Sequence, residues 1–298
     1  MKRIITTLAI LIAIFTFAFS SPISLKDIYV SWFEPSGLNT WTAPWMLPVL
    51  YKEATNTVVV NGYYRNESGG SNALNVLGIY AFDRFMGGDY MSATVNASYT
   101  TFKLNRYTIG LAVPNAGFDI RYINAMDGNL QYYNEVGMDV EFIYNWNSFW
   151  PWSMFLPKTG NGGPGSKIFS YIKIFNFVRY MKPAYPVNSS WQSIFSTDYL
   201  FRTVWVLPQF ALIYDNYNGI DEISYQSENY TTLELLIKAM NNVILRGGVN
   251  FENSGQTAIP SVNFGANITF KNFNINADYQ RVLAERIGTF AVSGGMNF

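Results

Sequence analysis

The sequence predicts an all-β protein: a closed antiparallel transmembrane β-barrel of about 14 strands, with 12 to 16 compatible with the pattern. Three observations predict it. The chain is 17% aromatic and 49% hydrophobic but only 13% charged, and beyond its first twenty residues no apolar run approaches the length of a spanning helix. Apolar and polar residues alternate with period two in segment after segment, the pattern of a wall with one face toward lipid and one toward a lumen. The last strand, read back in steps of two, carries Phe298, Met296, Val292 and Phe290 on one parity and Asn297, Gly295, Ser293, Ala291 and Thr289 on the other.

Taken in order, the chain divides into residues 1–20, 21–54 and 55–298. Lys2 and Arg3 head an uncharged, largely apolar run from Ile4 to Phe19, and Ala18 and Ser20 are small residues spaced for cleavage before Ser21. This reads as an export signal; the competing reading, an uncleaved anchor, needs a longer run of roughly 20 apolar residues. Residues 21–54 combine Trp32, Phe33, Trp41 and Trp45 with Pro22, Pro35, Pro44 and Pro48. Such a stretch is no transmembrane strand, and its aromatic rings are costly to leave in water. A plug in the lumen, a segment at the periplasmic mouth and an irregular lead-in all fit it.

From residue 55 onward the alternation starts with Val58, Val60 and Tyr64, then Leu74, Val76, Tyr80 and Phe82. Met91, Ala93 and Val95 oppose Ser92, Thr94 and Asn96. Tyr107, Ile109 and Leu111 oppose Arg106 and Thr108, and Phe118, Ile120 and Tyr122 oppose Asp119 and Arg121. Asp127-Gly128 signals a tight turn. Met138, Val140 and Phe142 follow, opposing Asp139 and Glu141. The stretch from 148 to 216 is harder to divide, and Pro208 there marks either a turn between two strands or a rim, because a closed barrel has no edge to accommodate it. Thr231 to Met240 has helix-forming residues, yet its alternation of Leu233, Leu235 and Ile237 with Glu234 and Lys238 favours a strand. Asn241-Asn242 turns it into Val243, Leu245, Val249 and Phe251, which oppose Arg246, Asn250 and Glu252, with Ile244 out of pattern. Val262 to Phe270 and Phe273 to Tyr279 form a hairpin around Lys271-Asn272.

Few chemistries survive the composition. The chain has no histidine and no cysteine, which excludes Ser–His and Cys–His catalysis, thiol chemistry, disulfides and the commonest zinc ligand. Asp139 and Glu141 share a strand face, but carboxylates so placed on a barrel wall belong more naturally to an ion-pair network than to an acid–base pair. Gly160 to Lys167 (G-N-G-G-P-G-S-K) misses a phosphate-binding loop, since Ser166 separates the last glycine from the lysine. Asn66, Asn96, Asn188, Asn229 and Asn267 begin N-x-S/T strings of the kind that any asparagine-rich wall produces by chance. No enzyme, cofactor or metal is expected. A formal net charge of +0 gives no reason to expect nucleic acid as a partner.

What remains are charges on the predicted inner faces: Arg106, Asp119, Arg121, Asp139, Glu141, Glu234, Lys238, Arg246, Glu252 and Asp278. A basic residue turned toward lipid near the midplane would cost about 2–4 kcal/mol, so they are expected to line the lumen. Their mixed signs predict cross-strand pairing and weak ion selectivity, or a purely structural role.

Export signal, alternating strands and terminal Phe298 together make the chain resemble bacterial outer-membrane β-barrel proteins over its length after the signal. That resemblance implies an outer-membrane location, outer-membrane lipid as partner, and a barrel-assembly machinery that reads Phe298. Glu34-Pro35-Ser36-Gly37-Leu38 is also similar to an Asn-Pro-Ala motif of the long-chain fatty-acid transporter family, departing from it at Glu34 and Ser36. This second resemblance implies a plugged 14-stranded barrel and adds no ligand residues. The expected function is a passive, porin-like channel for small solutes. The alternatives are a structural or adhesive barrel with a filled lumen and a plugged transporter of apolar ligands.

Overall fold

A computed structural model describes residues 57–67, 73–82, 86–96, 101–113, 116–128, 130–145, 167–183, 190–193, 198–207, 209–220, 227–254, 257–283 and 288–297. Residues 1–20, expected to be an export signal, residues 21–54, Pro208 and Phe298 lie outside the described residues. The first strands are β1 (Thr57–Glu67), β2 (Ala73–Phe82), β3 (Met86–Asn96), β4 (Thr101–Val113) and β5 (Ala116–Asp127). They are followed by β6 (Leu130–Asn145), β7 (Lys167–Pro183), the two-residue β8 (Gln192–Ser193), β9 (Asp198–Val206) and β10 (Phe210–Ile220). The last are β11 (Ser227–Met240), β12 (Val243–Ser254), β13 (Thr257–Phe270), β14 (Phe273–Val282) and β15 (Gly288–Asn297).

Every pairing is antiparallel, and each long strand pairs with its sequence neighbours. Two further ladders close the ring. β7 pairs with both β6 and β9, and β1 pairs with β15 from Val59–Asn297 to Glu67–Thr289. Fourteen strands therefore form a closed barrel, with β8 a short addition on β7. The expected count holds, and Thr231 to Met240 lies within the strand β11. β9 ends at Val206, β10 begins at Phe210, and the Leu207 N–H donates to the Phe210 carbonyl, so the chain passes here from one strand to the next rather than running on as a single strand.

Closure explains the burial pattern. Exposed large apolar side chains occupy one parity of each strand: Tyr107, Ile109 and Leu111 on β4, Leu233 and Leu235 on β11, Phe273, Ile275 and Tyr279 on β14. With the strands paired around the ring, this apolar outer wall is the surface that a bilayer covers. At about 4.8 Å between strands and a tilt near 40°, fourteen strands enclose about 28 Å between opposite backbones. Side chains from both walls reduce that to roughly 15 Å.

Two strands turn the other way from the sequence pattern. On β3 the apolar set Met91 and Ala93 faces inward, at 0% and 1% exposure, and Ser92 and Thr94 face outward. On β2 the exposed apolar residues are Leu77 and Ile79, which are not of the parity that the sequence pattern singled out. Alternation reports that a strand has two unlike faces, not which one meets lipid.

Candidate functional site

The site is the inner wall, and its chemistry begins with one constraint. A charge that points into the barrel needs a counter-charge within reach, and the nearest neighbours lie on the adjoining strands. Arg106 on β4 lies 3.7 Å from Asp89 on β3. Arg121 on β5 reaches Asp139 at 3.2 Å and Glu135 at 3.4 Å, both on β6. Arg179 on β7 donates to the other oxygen of Glu135 at 2.7 Å. Glu135 is thus shared by two guanidinium groups, all three side chains being almost wholly out of water. Asp119 is buried opposite Asp139 in the β5–β6 register, next to Arg121.

A second group occupies β9 to β14. Arg202 pairs with Asp215 through two hydrogen bonds, in the fork geometry that suits guanidinium and carboxylate. Arg246 pairs with Asp278, and Asn263 donates to Glu234. Glu234 also stands within the fields of Arg246, Arg202 and Asp215. Lys238 is buried on the same inward parity of β11.

Two of these contacts depend on glycine in the strand between the partners. Glu234, Gly248 and Asn263 are register partners across β11, β12 and β13, and Arg246, Gly265 and Asp278 across β12, β13 and β14. A Cβ at Gly265 would lie 1.8 Å from Asp278 Oδ1, and one at Gly248 would lie 2.8 Å from Glu234 Cγ and 2.6 Å from Asn263 Oδ1. The bare backbone is what lets these side chains meet across an intervening strand. On β5 to β7, Gly137 stands between Arg121 and Arg179 in register, and both guanidinium groups reach Glu135 on the same inward parity of β6.

The structure therefore places Arg106, Asp119, Arg121, Asp139, Glu234, Lys238, Arg246 and Asp278 buried on the inner wall. Glu252 shares the inward parity of Arg246 and Asn250 but is exposed near the end of β12, and the side chain of Glu141 lies outside the described residues. Sequence reading missed Asp89, Glu135, Arg179, Asp198, Arg202 and Asp215, all of them buried. Their signal was a charge flanked by apolar or aromatic neighbours, as in Phe201-Arg202-Thr203-Val204, where an outward direction would set a charge in lipid.

The remainder of the wall is neutral or apolar. On β13 to β15 a hydrogen-bonded chain runs from Asn267 to Asn276 (2.6 Å) and on to Ser293 (3.2 Å). Met91, Leu104, Ile123, Ala125 and Tyr133 form one inward apolar cluster, and Val204, Ala211, Ile213, Leu236 and Ile244 another. Among the described residues no group of three or more Asp or Glu side chains could hold a metal ion.

No protein-family model matches this sequence. No curated protein matches it either. Among solved structures it is similar to CdiB from Acinetobacter baumannii, with 10% identity, a TM-score of 0.48 and coverage of 81% of this chain. The chain spans 60% of that protein's length. It is also similar to the outer membrane protein OprD from Pseudomonas aeruginosa (9% identity, TM-score 0.35, covering 83% of this chain and 94% of that one). A third similar structure is the CymD monoaromatic hydrocarbon channel (9% identity, TM-score 0.41, covering 86% and 92%).

Proposed function

We propose that this protein is an outer-membrane channel that passes small solutes with little preference for the sign of their charge. The observation that carries the reading is the pairing of inner-wall charges between neighbouring strands. Rings of one sign make selective filters, whereas compensated pairs leave little net field along a pore. The ring that fourteen tilted strands enclose is wide enough for a solute pathway beside the paired side chains. Export and outer-membrane residence are part of this proposal, supported by the basic and apolar head of the chain and by the lipid-suited outer wall.

Planar bilayers containing the purified protein are expected to show discrete conductance steps. In a tenfold salt gradient their reversal potential should fall well short of the roughly 59 mV of an ideally selective pore. Silent membranes at high protein load, or a potential near that limit, would overturn the proposal.

One observation favours a second reading. Met91, Leu104 and Ile123 are 0% exposed although they face inward, as expected of a lumen filled with side chains or plugged around an apolar ligand. The similarity of residues 34–38 to the long-chain fatty-acid transporter family points the same way. Under that reading recordings of the full chain are silent, and deletion of residues 21–54 turns conductance on; a filled structural barrel stays silent in both.

A further inference from the structure

We infer that β3 to β6 run beyond the bilayer on the side away from β1's first residue, where they stand in water as a half-collar with its own apolar inside. The wall reverses its polarity along these strands, and it does so at the same height on each. Tyr90, Tyr107 and Tyr122 face outward and are successive register partners across β3, β4 and β5. Their rings touch in sequence, with centroids 5.0 and 6.2 Å apart. On one side of this row the outer face is apolar, with Ile109, Leu111 and Ile120 exposed, and the inner face carries Asp89, Asp119 and Arg121. That is a wall with lipid outside and charge inside.

On the other side both faces change. The next outward row is Ser92, Asn105, Asn124 and Asn134, register partners across β3 to β6. Lys103 and Thr94 lie one step further on the same face, paired with each other. The inward face over that stretch passes through one mixed row, Met91, Arg106, Ile123 and Glu135, and is then apolar at Ala93, Leu104, Ala125 and Tyr133, each at 2% exposure or less. Polar outside and apolar inside is the pattern of a sheet that buries a core and meets water. Amide and ammonium groups turned to hydrocarbon would have nothing to gain there.

The tyrosines are oriented for a boundary. The Tyr90 hydroxyl donates to Asn105 Oδ1 at 3.1 Å and the Tyr122 hydroxyl to Asn134 Oδ1 at 2.9 Å, while their rings lie against the apolar band. An amphipathic ring with its hydroxyl toward the polar row is what a membrane–water interface selects. Elsewhere around the ring the same step recurs between adjacent outward positions: Tyr64 then Asn66 on β1, Tyr214 then Asn216 on β10, Tyr279 then Arg281 on β14. On β3 to β6, as on β10, the strands continue well past it, and on β3 to β6 they carry inner apolar residues that a bilayer-spanning wall would not need.

The natural absence of cysteine makes the test direct. Single variants S92C, N105C and N124C, beside I109C and I120C, are placed in lipid nanodiscs, where both ends of the barrel meet solvent. A water-soluble maleimide should label the first three at least tenfold faster than the last two. Equal rates in the two sets would overturn the inference, as would slower labelling at Asn105 and Asn124. Should a cysteine variant fail to fold, lysine substitutions answer the same question in the folded fraction recovered from refolding. N105K and N124K should fold within about twofold of wild type and I109K and I120K far less; equal losses overturn the inference.

Discussion

Glu135 is where replacement of one atom should cost the barrel most. Glu135→Gln keeps the shape of the side chain and removes the charge that both Arg179, at 2.7 Å, and Arg121, at 3.4 Å, approach. Side-chain exposure is 0% for Glu135 and Arg179 and 3% for Arg121, so water is poorly placed to substitute. Breaking a buried pair by neutralising one partner costs about 3–5 kcal/mol, because the remaining charge stays out of water. Arg121 keeps Asp139 at 3.2 Å, which puts the expected loss toward the lower end, near 3 kcal/mol. With an urea dependence of about 3 kcal/mol/M for a barrel of this size, the unfolding midpoint should fall by about 1 M. The assay is tryptophan fluorescence of protein refolded into lipid vesicles and titrated with urea. Asp139→Asn is the internal comparison and should cost less, since Arg121 then retains Glu135. Salt supplies the control: exposed pairs are screened and buried ones hardly at all, so the difference between variant and wild type should persist at high salt. A midpoint shift under about 0.3 M, or one that salt abolishes, would show that water reaches these ion pairs and refute the reasoning.

Three other expectations follow from the same wall. Gly265→Ala should cost about 1–3 kcal/mol, because its Cβ would strike Asp278 and part it from Arg246. Gly265→Ala and Asp278→Ala should be less than additive in the same urea titration, because each parts Arg246 from Asp278, and strict additivity would locate the strain elsewhere. Phe264→Lys, on an outward residue with 61% exposure in the apolar band, should cost about 2–4 kcal/mol in vesicles if the site is near the midplane. The same change should cost far less in a soft detergent micelle. Deleting Phe298 should lower the heat-modifiable folded fraction in cells far more than it lowers the unfolding midpoint of refolded protein, and parallel losses would argue against an assembly signal.

The barrel was legible because its evidence is local. Alternation needs only successive residues, and turns such as Lys271-Asn272 and Asn241-Asn242 announce themselves in two. Lys271 adopts the left-handed conformation, with φ of 50°, and Gly128 after Asp127 does so with φ of 59°, as a tight reversal requires. Inward charges were legible as well, since hydrocarbon leaves a charge no alternative on a strand with an apolar opposite face. The direction of β3 was not, because Met91, Ala93 and Val95 alternate as a lipid-facing set would, and only ring closure shows that they point in. Nor was the pairing. That Glu135 serves Arg179, which is 44 residues away, depends on the β6–β7 register, and that Arg246 meets Asp278 depends on Gly265 lying between them. Three-strand coincidences leave no trace in a one-dimensional pattern.

The joint between β1 and β15 sets the order of assembly. Most of the other ladders join strands separated by a short connection, so their closure carries a small entropic penalty. This one brings Val60 to Met296 and Tyr64 to Val292, across nearly the whole chain. Until it forms, the remaining strands are an open sheet with two unsatisfied edges, a species that pairs readily with other copies of itself. Its middle offers little side-chain adhesion, since Gly62 lies opposite Gly294 and Asn61 opposite Gly295. The seam thus relies on backbone hydrogen bonds gained together once the edges are aligned. Folding of this barrel then resembles fastening a belt more than zipping a sheet: thirteen joints can wait, curved and ready, on a single buckle.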